Sequence, residues 1–255
     1  MVKQIIPANW YQYRKIFKKD GDNFLNISEF YCDTIQGEGI HIGHPAAFLR
    51  LQGCTLDCSY CDTKEVWRYG SPYTFNELFK LMDHWDLPSK LKAGQHLVIT
   101  GGSPLLQQER LCNFIEFFFD NYDFYPFIEI ENECVIEPHH NLVILTDCWN
   151  NSPKLTSSGV DFEKRYKPKV IKAMSLMNNS WFKFVISSEI DWDEIDAGFL
   201  MSGLIKKEQI ILMPEGATTE ELIKHRELTV ELSIRHGVRY STREHIVIWS
   251  NKIGV

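Results

Sequence analysis

Cys54-Thr55-Leu56-Asp57-Cys58-Ser59-Tyr60-Cys61 is the most informative stretch of this chain, because it places three cysteines in the spacing C-x3-C-x2-C. A four-iron, four-sulfur cluster normally takes four thiolates, so three thiolates leave one iron open to another ligand. A structural zinc site is the alternative, but it needs a fourth Cys or His ligand. No second C-x2-C follows in the sequence. The spacing therefore favours an iron–sulfur cluster on Cys54, Cys58 and Cys61.

Length and charge set limits on what the chain can do. Its 255 residues can bury the core of one domain, and its net charge of −7 argues against nucleic acid as the main partner. No run approaches the roughly 18 apolar residues of a membrane span. Residues 1–20 lack an apolar signal core, so we expect a cytoplasmic protein. Seven cysteines, three of them clustered, suit metal binding better than a disulfide framework.

The rest of the chain alternates predicted strands with helices. Residues 1–25 are interpreted as an N-terminal extension, followed by one domain over residues 26–255. We predict strands at Leu25–Ile35, Ala46–Gln52, His96–Thr100, Phe127–Glu131, Leu142–Thr146, Trp181–Ile186 and Gln209–Met213, and a last extended segment at Ile246–Trp249. Helices are predicted at Thr74–Trp85, Pro104–Phe119 and Ala217–His236. This alternation indicates an α/β fold with a mostly parallel sheet, whose functional residues gather at the carboxyl ends of the strands.

The motifs around the cysteines resemble those of a known family. They are Phe30–Gly39, Gly43–Gly53, Asp62-Thr63, Ile99–Gln107, Ser152–Leu155, Met213–Gly216 and the segment from His245 to Val255. Together they closely resemble the 7-carboxy-7-deazaguanine synthase family of the radical S-adenosylmethionine (SAM) superfamily. The resemblance runs from about residue 27 to the end of the sequence, and Gln36 to Thr63 is its most specific part.

The resemblance implies a partial (β/α)6-type barrel and a radical SAM lyase. The reaction would convert 6-carboxy-5,6,7,8-tetrahydropterin to 7-carboxy-7-deazaguanine with loss of ammonia, in 7-deazapurine or queuosine-type biosynthesis. The cofactors would be a [4Fe–4S] cluster, SAM and Mg2+, and a 5′-deoxyadenosyl radical would abstract hydrogen from pterin C6. A one-electron donor such as flavodoxin and a homodimer are the partners implied, without nucleic acid or membrane.

The same resemblance assigns the cofactor-binding residues. Gly101, Gly102 and Ser103, in a loop that opens a helix, together with Ser152 would bind SAM, and Thr63 would bind Mg2+. Ser103 stands where the family has a glutamate that holds the amino-acid end of SAM. A hydroxyl lacks the charge of that glutamate, so we expect weaker SAM binding.

Substrate binding is assigned in the same way. The residues implied are Gln36, Glu38, Arg50, Thr100, Glu131, His245 and Val255. An arginine suits the substrate carboxylate, and a carboxylate suits the N–H edge of a pterin. From the residues alone, Arg50 would be a structural ion pair and His245 a structural histidine. Glu131 matches the family's pattern, whereas Asn132-Glu133-Cys134 depart from it.

Two other functions fit the cluster motif. A glycyl-radical activase shares the C-x3-C-x2-C spacing, but its site must admit a polypeptide, and the matches at Gln36–Gly39 and His245 to Val255 oppose it. The second alternative is a non-catalytic regulatory or interaction protein that keeps the cluster. The N-terminal extension and the departures at Ser103 and at residues 132–134 leave room for it.

Overall fold

The protein is seen in a computed structural model that describes residues 23–250, 252 and 254, and the backbone of residues 3–5. Its strands form one ten-stranded sheet. They are β1 (Lys3–Ile5), β2 (Phe24–Ile35), β3 (Pro45–Leu51), β4 (Ser71–Thr74), β5 (His96–Gly101), β6 (Ile128–Asn132), β7 (Cys148–Asn151), β8 (Ser180–Ile186), β9 (Ile210–Pro214) and β10 (Arg239–Tyr240).

The order of the strands in the sheet is β1-β2-β3-β5-β6-β7-β8-β9-β10, with β4 beside β2. Every pairing from β3 to β10 is parallel, whereas β2 runs antiparallel to β1, β3 and β4. Sequential parallel strands require a crossover between each pair, and helices supply most of them. The predicted fold class, a partial barrel with a mostly parallel sheet, is confirmed.

Ten helices accompany these strands in the described part of the chain. They are α1 (Lys64–Trp67), α2 (Phe75–His84), α3 (Leu87–Lys92), α4 (Gln108–Tyr122), α5 (His140–Ile144), α6 (Phe162–Arg165), α7 (Pro168–Ser175), α8 (Glu189–Ile195), α9 (Thr219–His236) and α10 (Glu244–Trp249). The helix predicted from Thr74 is α2, and it begins with a capping box in which Thr74 and Glu77 satisfy each other's backbone N–H groups. Gly237 ends α9 in the left-handed conformation, as its position predicts. No helix of the described residues is long and apolar enough to cross a membrane.

Two predicted strands are wrong. Leu142–Thr146 lies mostly in α5, and the strand of that unit is β7, which follows it. Within α5 only Leu142 is buried, while Ile144 is 68% exposed, so this short apolar run covers one face of a helical turn. Ile246–Trp249 likewise belongs to α10. Short apolar runs carry no period that separates a strand from a helix.

The helix predicted at Pro104–Phe119 is present with different ends. It opens with a 3-10 turn at Pro104–Gln107 and continues as α4 to Tyr122. Its inner face meets α2 through aromatic rings, with Phe79 within 6.0 Å of Phe114, Phe117 and Phe118 between ring centroids. This aromatic layer packs against the sheet at β2.

Part of the predicted N-terminal extension joins the sheet. β1 pairs antiparallel with β2, with Gln4 opposite Tyr31. Residues 1–2 and 6–22 lie outside the described residues. The division into an extension and one domain stays a prediction.

Candidate active site

The carboxyl ends of the strands surround one cavity of about 280 Å3. Its wall is formed by the ends of β2, β3, β5, β6 and β9, by the loops that follow them, and by α10. The predicted site residues that line it are Gln36, Glu38, Arg50, Cys54, Cys58, Cys61, Thr63, Thr100, Gly101, Gly102, Glu131, Ser152 and His245. Val255 lies outside the described residues, and Ser103 lies behind the wall.

The three cysteines lie on the loop between β3 and α1. The backbone N–H of Leu56 donates to Cys54 Sγ at 3.4 Å, and the indole N–H of Trp67 donates to Cys61 Sγ at 3.4 Å. Such donors suit sulfurs that carry negative charge, as cluster thiolates do. All three thiols border the same cavity. The donor set therefore fits a cluster held by three thiolates.

The backbone of Gly102 lies in close contact with the cysteine loop. A Cβ at that position would lie 2.3 Å from Cys54 Cβ and 2.5 Å from the Gly53 carbonyl oxygen. Only glycine allows so close an approach. The Ser103 N–H donates to the same carbonyl at 2.8 Å, which fixes the loop after β5 against the cysteine loop.

Opposite the cysteines, a buried lysine joins two of the predicted substrate ligands. Lys183, on β8 and 3% exposed, donates to Glu38 at 2.5 Å and to Glu131 at 2.8 Å. The Gln36 amide donates to Glu131 at 3.2 Å. β8 reads Trp-Phe-Lys-Phe-Val, so a single charge in an apolar strand was the signal that could have identified Lys183.

Arg243 adds a second cation to this group. Its guanidinium donates to Glu38 at 3.3 Å and binds the carboxylate of Asp62. Burial raises the pKa of Glu38, but Lys183, Arg243 and His245 outweigh it and hold that pKa well below its usual range. Burial raises the pKa of Glu131, and the adjacent Glu38 adds to the rise against Lys183. The two carboxyls thus differ in their readiness to hold a proton.

Arg50 is both an ion pair and a cavity residue. Its Nε donates to Glu29 at 2.8 Å, which is the structural interpretation of this residue, while its side chain also lines the cavity. Burial raises the pKa of the adjacent Tyr31 to about 12, against the opposing effect of Arg50. The register Arg50↔Thr100 between β3 and β5 sets the two predicted substrate ligands side by side.

His245 lies on α10, against the loop after β2. A Cβ at Gly37 would lie 2.1 Å from His245 Nδ1, so this contact also requires glycine. The Glu244 N–H donates to the Gly37 carbonyl at 2.7 Å. Burial lowers the pKa of His245, although Glu38 opposes the shift.

Thr63 lines the cavity next to Asp62, whose carboxylate binds Arg243. The hydroxyl of Thr63 fits a Mg2+ shell that water and substrate complete, because Mg2+ takes oxygen ligands and tolerates few from the protein. Magnesium at Thr63 stays a prediction.

Ser103 and Glu133 form a polar group beside Cys54. The Ser103 hydroxyl accepts the Thr55 N–H at 3.0 Å and lies 3.9 Å from Cys54 Sγ. The Thr55 hydroxyl donates to Glu133 at 3.0 Å. Glu133 lines the cavity, whereas Ser103 is 1% exposed and does not.

Comparison with known proteins identifies the family. Residues 35–123 match the family described as a 4Fe-4S single cluster domain. The 7-carboxy-7-deazaguanine synthase of Pyrobaculum aerophilum is 31% identical over 233 residues, which cover 90% of this chain and 97% of that protein. The chain belongs to the 7-carboxy-7-deazaguanine synthase family. The synthase of Halobacterium salinarum is 27% identical, over 89% of this chain and 91% of its own.

A solved structure supports the same family at the level of the fold. The crystal structure of QueE from Escherichia coli superposes with a TM-score of 0.64 at 22% identity, covering 87% of this chain and 95% of that one. As a 7-carboxy-7-deazaguanine synthase family member, the chain is a radical SAM enzyme that uses an iron–sulfur cluster and SAM. The roles of the individual site residues stay predictions.

Proposed function

We propose that this protein is a radical SAM lyase that converts 6-carboxy-5,6,7,8-tetrahydropterin to 7-carboxy-7-deazaguanine with loss of ammonia. The observation that carries the proposal is one cavity with two chemically distinct sides. One side holds Cys54, Cys58 and Cys61, and the other holds carboxylates and cations that suit a carboxylated pterin. Family membership supports the same reaction.

The substrate side offers complementary groups to each part of the pterin. Glu38 is ionised, and although Lys183 and Arg243 bind it, a carboxylate can accept further hydrogen bonds from the N–H edge of the ring. Glu131 accepts from Lys183 and Gln36, and the remaining lone pairs of its carboxylate can accept further hydrogen bonds from ring N–H groups. Arg50 donates through Nε to Glu29 and also lines the cavity, where its guanidinium can pair with the substrate carboxylate.

The cofactor side would hold SAM beside the cysteine loop. Gly101 and Gly102 allow the cofactor to approach the backbone, and the Ser152 hydroxyl, which accepts from Lys154 at 2.7 Å, faces the same cavity. When bound, the cluster and SAM supply a 5′-deoxyadenosyl radical. The protein positions pterin C6 toward this side and excludes water from it.

Further parts of the proposal rest on family resemblance. Thr63 binds Mg2+ at the substrate, and Val255 contributes to the substrate site. The protein works in the cytoplasm as a homodimer and receives electrons from a flavodoxin-like donor.

The test is anaerobic reconstitution with iron, sulfide, SAM, dithionite and the carboxypterin. We expect the ultraviolet chromophore of 7-carboxy-7-deazaguanine to appear only when all are present. Glu38→Gln should reduce product while slow SAM cleavage without substrate continues. Full SAM cleavage with no deazaguanine would contradict the proposal, and a glycyl radical on an added protein would favour the activase instead.

A further inference from the structure

Glu133 is a buried carboxylate without a complete set of partners. It follows β6 directly and is 5% exposed. One carboxylate oxygen accepts from the Thr55 hydroxyl at 3.0 Å, whereas Oε2 is buried with no hydrogen-bond partner among the described residues. Burial raises the pKa of this carboxyl, and hydrogen bonds from Ser103 and Thr55 only partly oppose the rise. Burying a carboxylate oxygen without a hydrogen-bond donor costs free energy, unless a bound ligand supplies the donor.

The described residues do not supply that donor to Oε2. Lys154 is the nearby cation whose charge acts on Glu133, but its Nζ donates to Ser152 Oγ at 2.7 Å. Glu133 forms no salt bridge within 4.0 Å in the part of the chain that the structure describes. Glu133 lines the cavity, so a bound molecule lies against its side chain.

The position of Glu133 selects the kind of donor. Thr55 links it to Ser103, whose hydroxyl lies 3.9 Å from Cys54 Sγ. Within this cavity the carboxylate therefore sits beside the first cluster cysteine. A cofactor that binds a cluster iron through its amino-acid end presents its α-amino group in this neighbourhood. An amino group is a cationic or strongly polarised donor, which is what an unpaired carboxylate oxygen requires.

Ser103 cannot fill this role in the same way. Its side chain lies behind the cavity wall, and its hydroxyl already accepts the Thr55 N–H at 3.0 Å. A carboxylate at position 103 would also lie against Glu133. The serine at 103 and the glutamate at 133 are thus complementary, because the small residue leaves room for the acidic group from the neighbouring strand.

We infer that Glu133 binds the α-amino group of SAM, and that this chain carries on the loop after β6 the acidic group that resembled proteins carry on the loop after β5. The inference rests on the proposed function, since it requires SAM in the cavity.

The test is an equilibrium-dialysis titration of the reconstituted protein with SAM, without carboxypterin and without dithionite, so that the cluster stays oxidised and SAM is not cleaved. Glu133→Gln should weaken SAM binding by about tenfold to a hundredfold, the range expected for a hydrogen bond to a charged group. A SAM analogue without the amino group should bind wild type and Glu133→Gln equally. Glu137→Gln, on the same loop and exposed, is the matched control and should leave SAM affinity unchanged.

Substitution of Ser103 provides a second test of the inference. Ser103→Glu alone should not tighten SAM binding, because two carboxylates would then meet. Ser103→Glu combined with Glu133→Gln should restore most of the lost affinity, since one carboxylate again faces the amino group. In the absence of SAM, Glu133→Gln should melt at the wild-type temperature or higher, because it removes an unpaired buried charge.

Two results would overturn the inference. One is SAM affinity in Glu133→Gln within about twofold of wild type, since the expected loss is at least tenfold. The other is an equal loss for SAM and for the analogue that lacks the amino group. If Glu133→Gln does not fold, Ser103→Glu alone decides, and tighter SAM binding in that variant contradicts the inference. None of these measurements needs deazaguanine formation, so their failure is distinct from failure of the proposed reaction.

Discussion

The two sides of the cavity differ in how their charged groups are satisfied. On the substrate side, comprising Glu29, Glu38, Arg50, Asp62, Glu131, Lys183 and Arg243, each of these groups has an ion-pair partner within the protein. On the cofactor side, comprising Cys54, Cys58, Cys61, Glu133 and Ser152, the cysteines line the cavity, and one buried oxygen of Glu133 has no hydrogen-bond partner among the described residues. The substrate side is therefore organised before any ligand binds, whereas cluster and SAM complete the cofactor side.

Removing a cluster ligand should have the largest effect. Cys58→Ala leaves two thiolates on the loop, too few to hold a cluster of four irons, and SAM cleavage should disappear. Iron analysis and EPR of the reduced protein measure the cluster. Cys112→Ala, on α4 and outside the cavity, is the control and should keep both cluster and activity. Stoichiometric zinc and no reducible cluster in the wild type would rule out this interpretation of the cysteines.

Removing the cation that Glu38 and Glu131 share should have the second largest effect. Lys183→Met leaves Glu38 and Glu131 adjacent without their shared cation, so the free energy of unfolding should fall by about 3–5 kcal/mol. Urea unfolding of the cofactor-free protein measures this. Lys164→Met removes an exposed partner of Asp161 and should cost less than about 1 kcal/mol. Equal effects of the two substitutions would mean that the buried network contributes little.

Arg50 distinguishes substrate binding from cofactor binding. Arg50→Ala should weaken carboxypterin binding by about 2–5 kcal/mol, because it removes both the partner of the substrate carboxylate and the ion pair that Arg50 forms with Glu29. SAM affinity and slow SAM cleavage without substrate should persist. Loss of SAM binding with unchanged carboxypterin affinity would move Arg50 to the cofactor side.

The pH dependence of stability should be the smallest effect. Burial lowers the pKa of His245, so the unfolded state binds a proton at higher pH than the folded state. The contribution of the neutral histidine is complete above about pH 6.5, the unfolded pKa, and is lost as the pH falls below it. Glu38, with its lowered pKa, adds a further loss below its ordinary value of 4.5. Urea unfolding at pH 7.5 and 5.5 should show the first loss in wild type.

His245→Gln should reduce that loss, because it removes the titrating group while keeping a polar side chain. His140→Gln, at an exposed position, is the control and should leave the difference between the two pH values as in wild type. An identical pH dependence in wild type and His245→Gln would assign the loss to other groups.

The fold followed from the sequence where local rules are strong. The short apolar runs of β5 and β8, the capping box at Thr74 and Gly237 after α9 each act over a few residues. β7, Cys-Trp-Asn-Asn, was missed because two of its four buried residues are asparagines. They are buried because they satisfy a network, as in the Asn150 amide that donates to Glu129 at 2.8 Å.

The site residues also divide into those that a local sequence pattern identifies and those that depend on distant partners. The cysteines and glycines were found because their spacing is a local pattern. Lys183, Arg243 and Glu133 were not assigned a role, since each acts through partners far away in sequence. Arg243 and Glu38 are 205 residues apart, and no window of sequence joins them. Long-range ion pairs require the topology first.

The contacts that close the substrate side of the cavity join residues far apart in sequence, and this affects the order in which the protein folds. The Gly39 N–H donates to the Ser241 hydroxyl across 202 residues, next to the contact between Gly37 and α10. Contacts of such separation form late, because the loop they close must lose its entropy first. In pulse-labelled refolding, the Glu77 amide in its local capping box should gain protection early, and the Gly39 amide in the slowest phase. A chain that has made every helix would still lack its substrate pocket until the two distant segments meet.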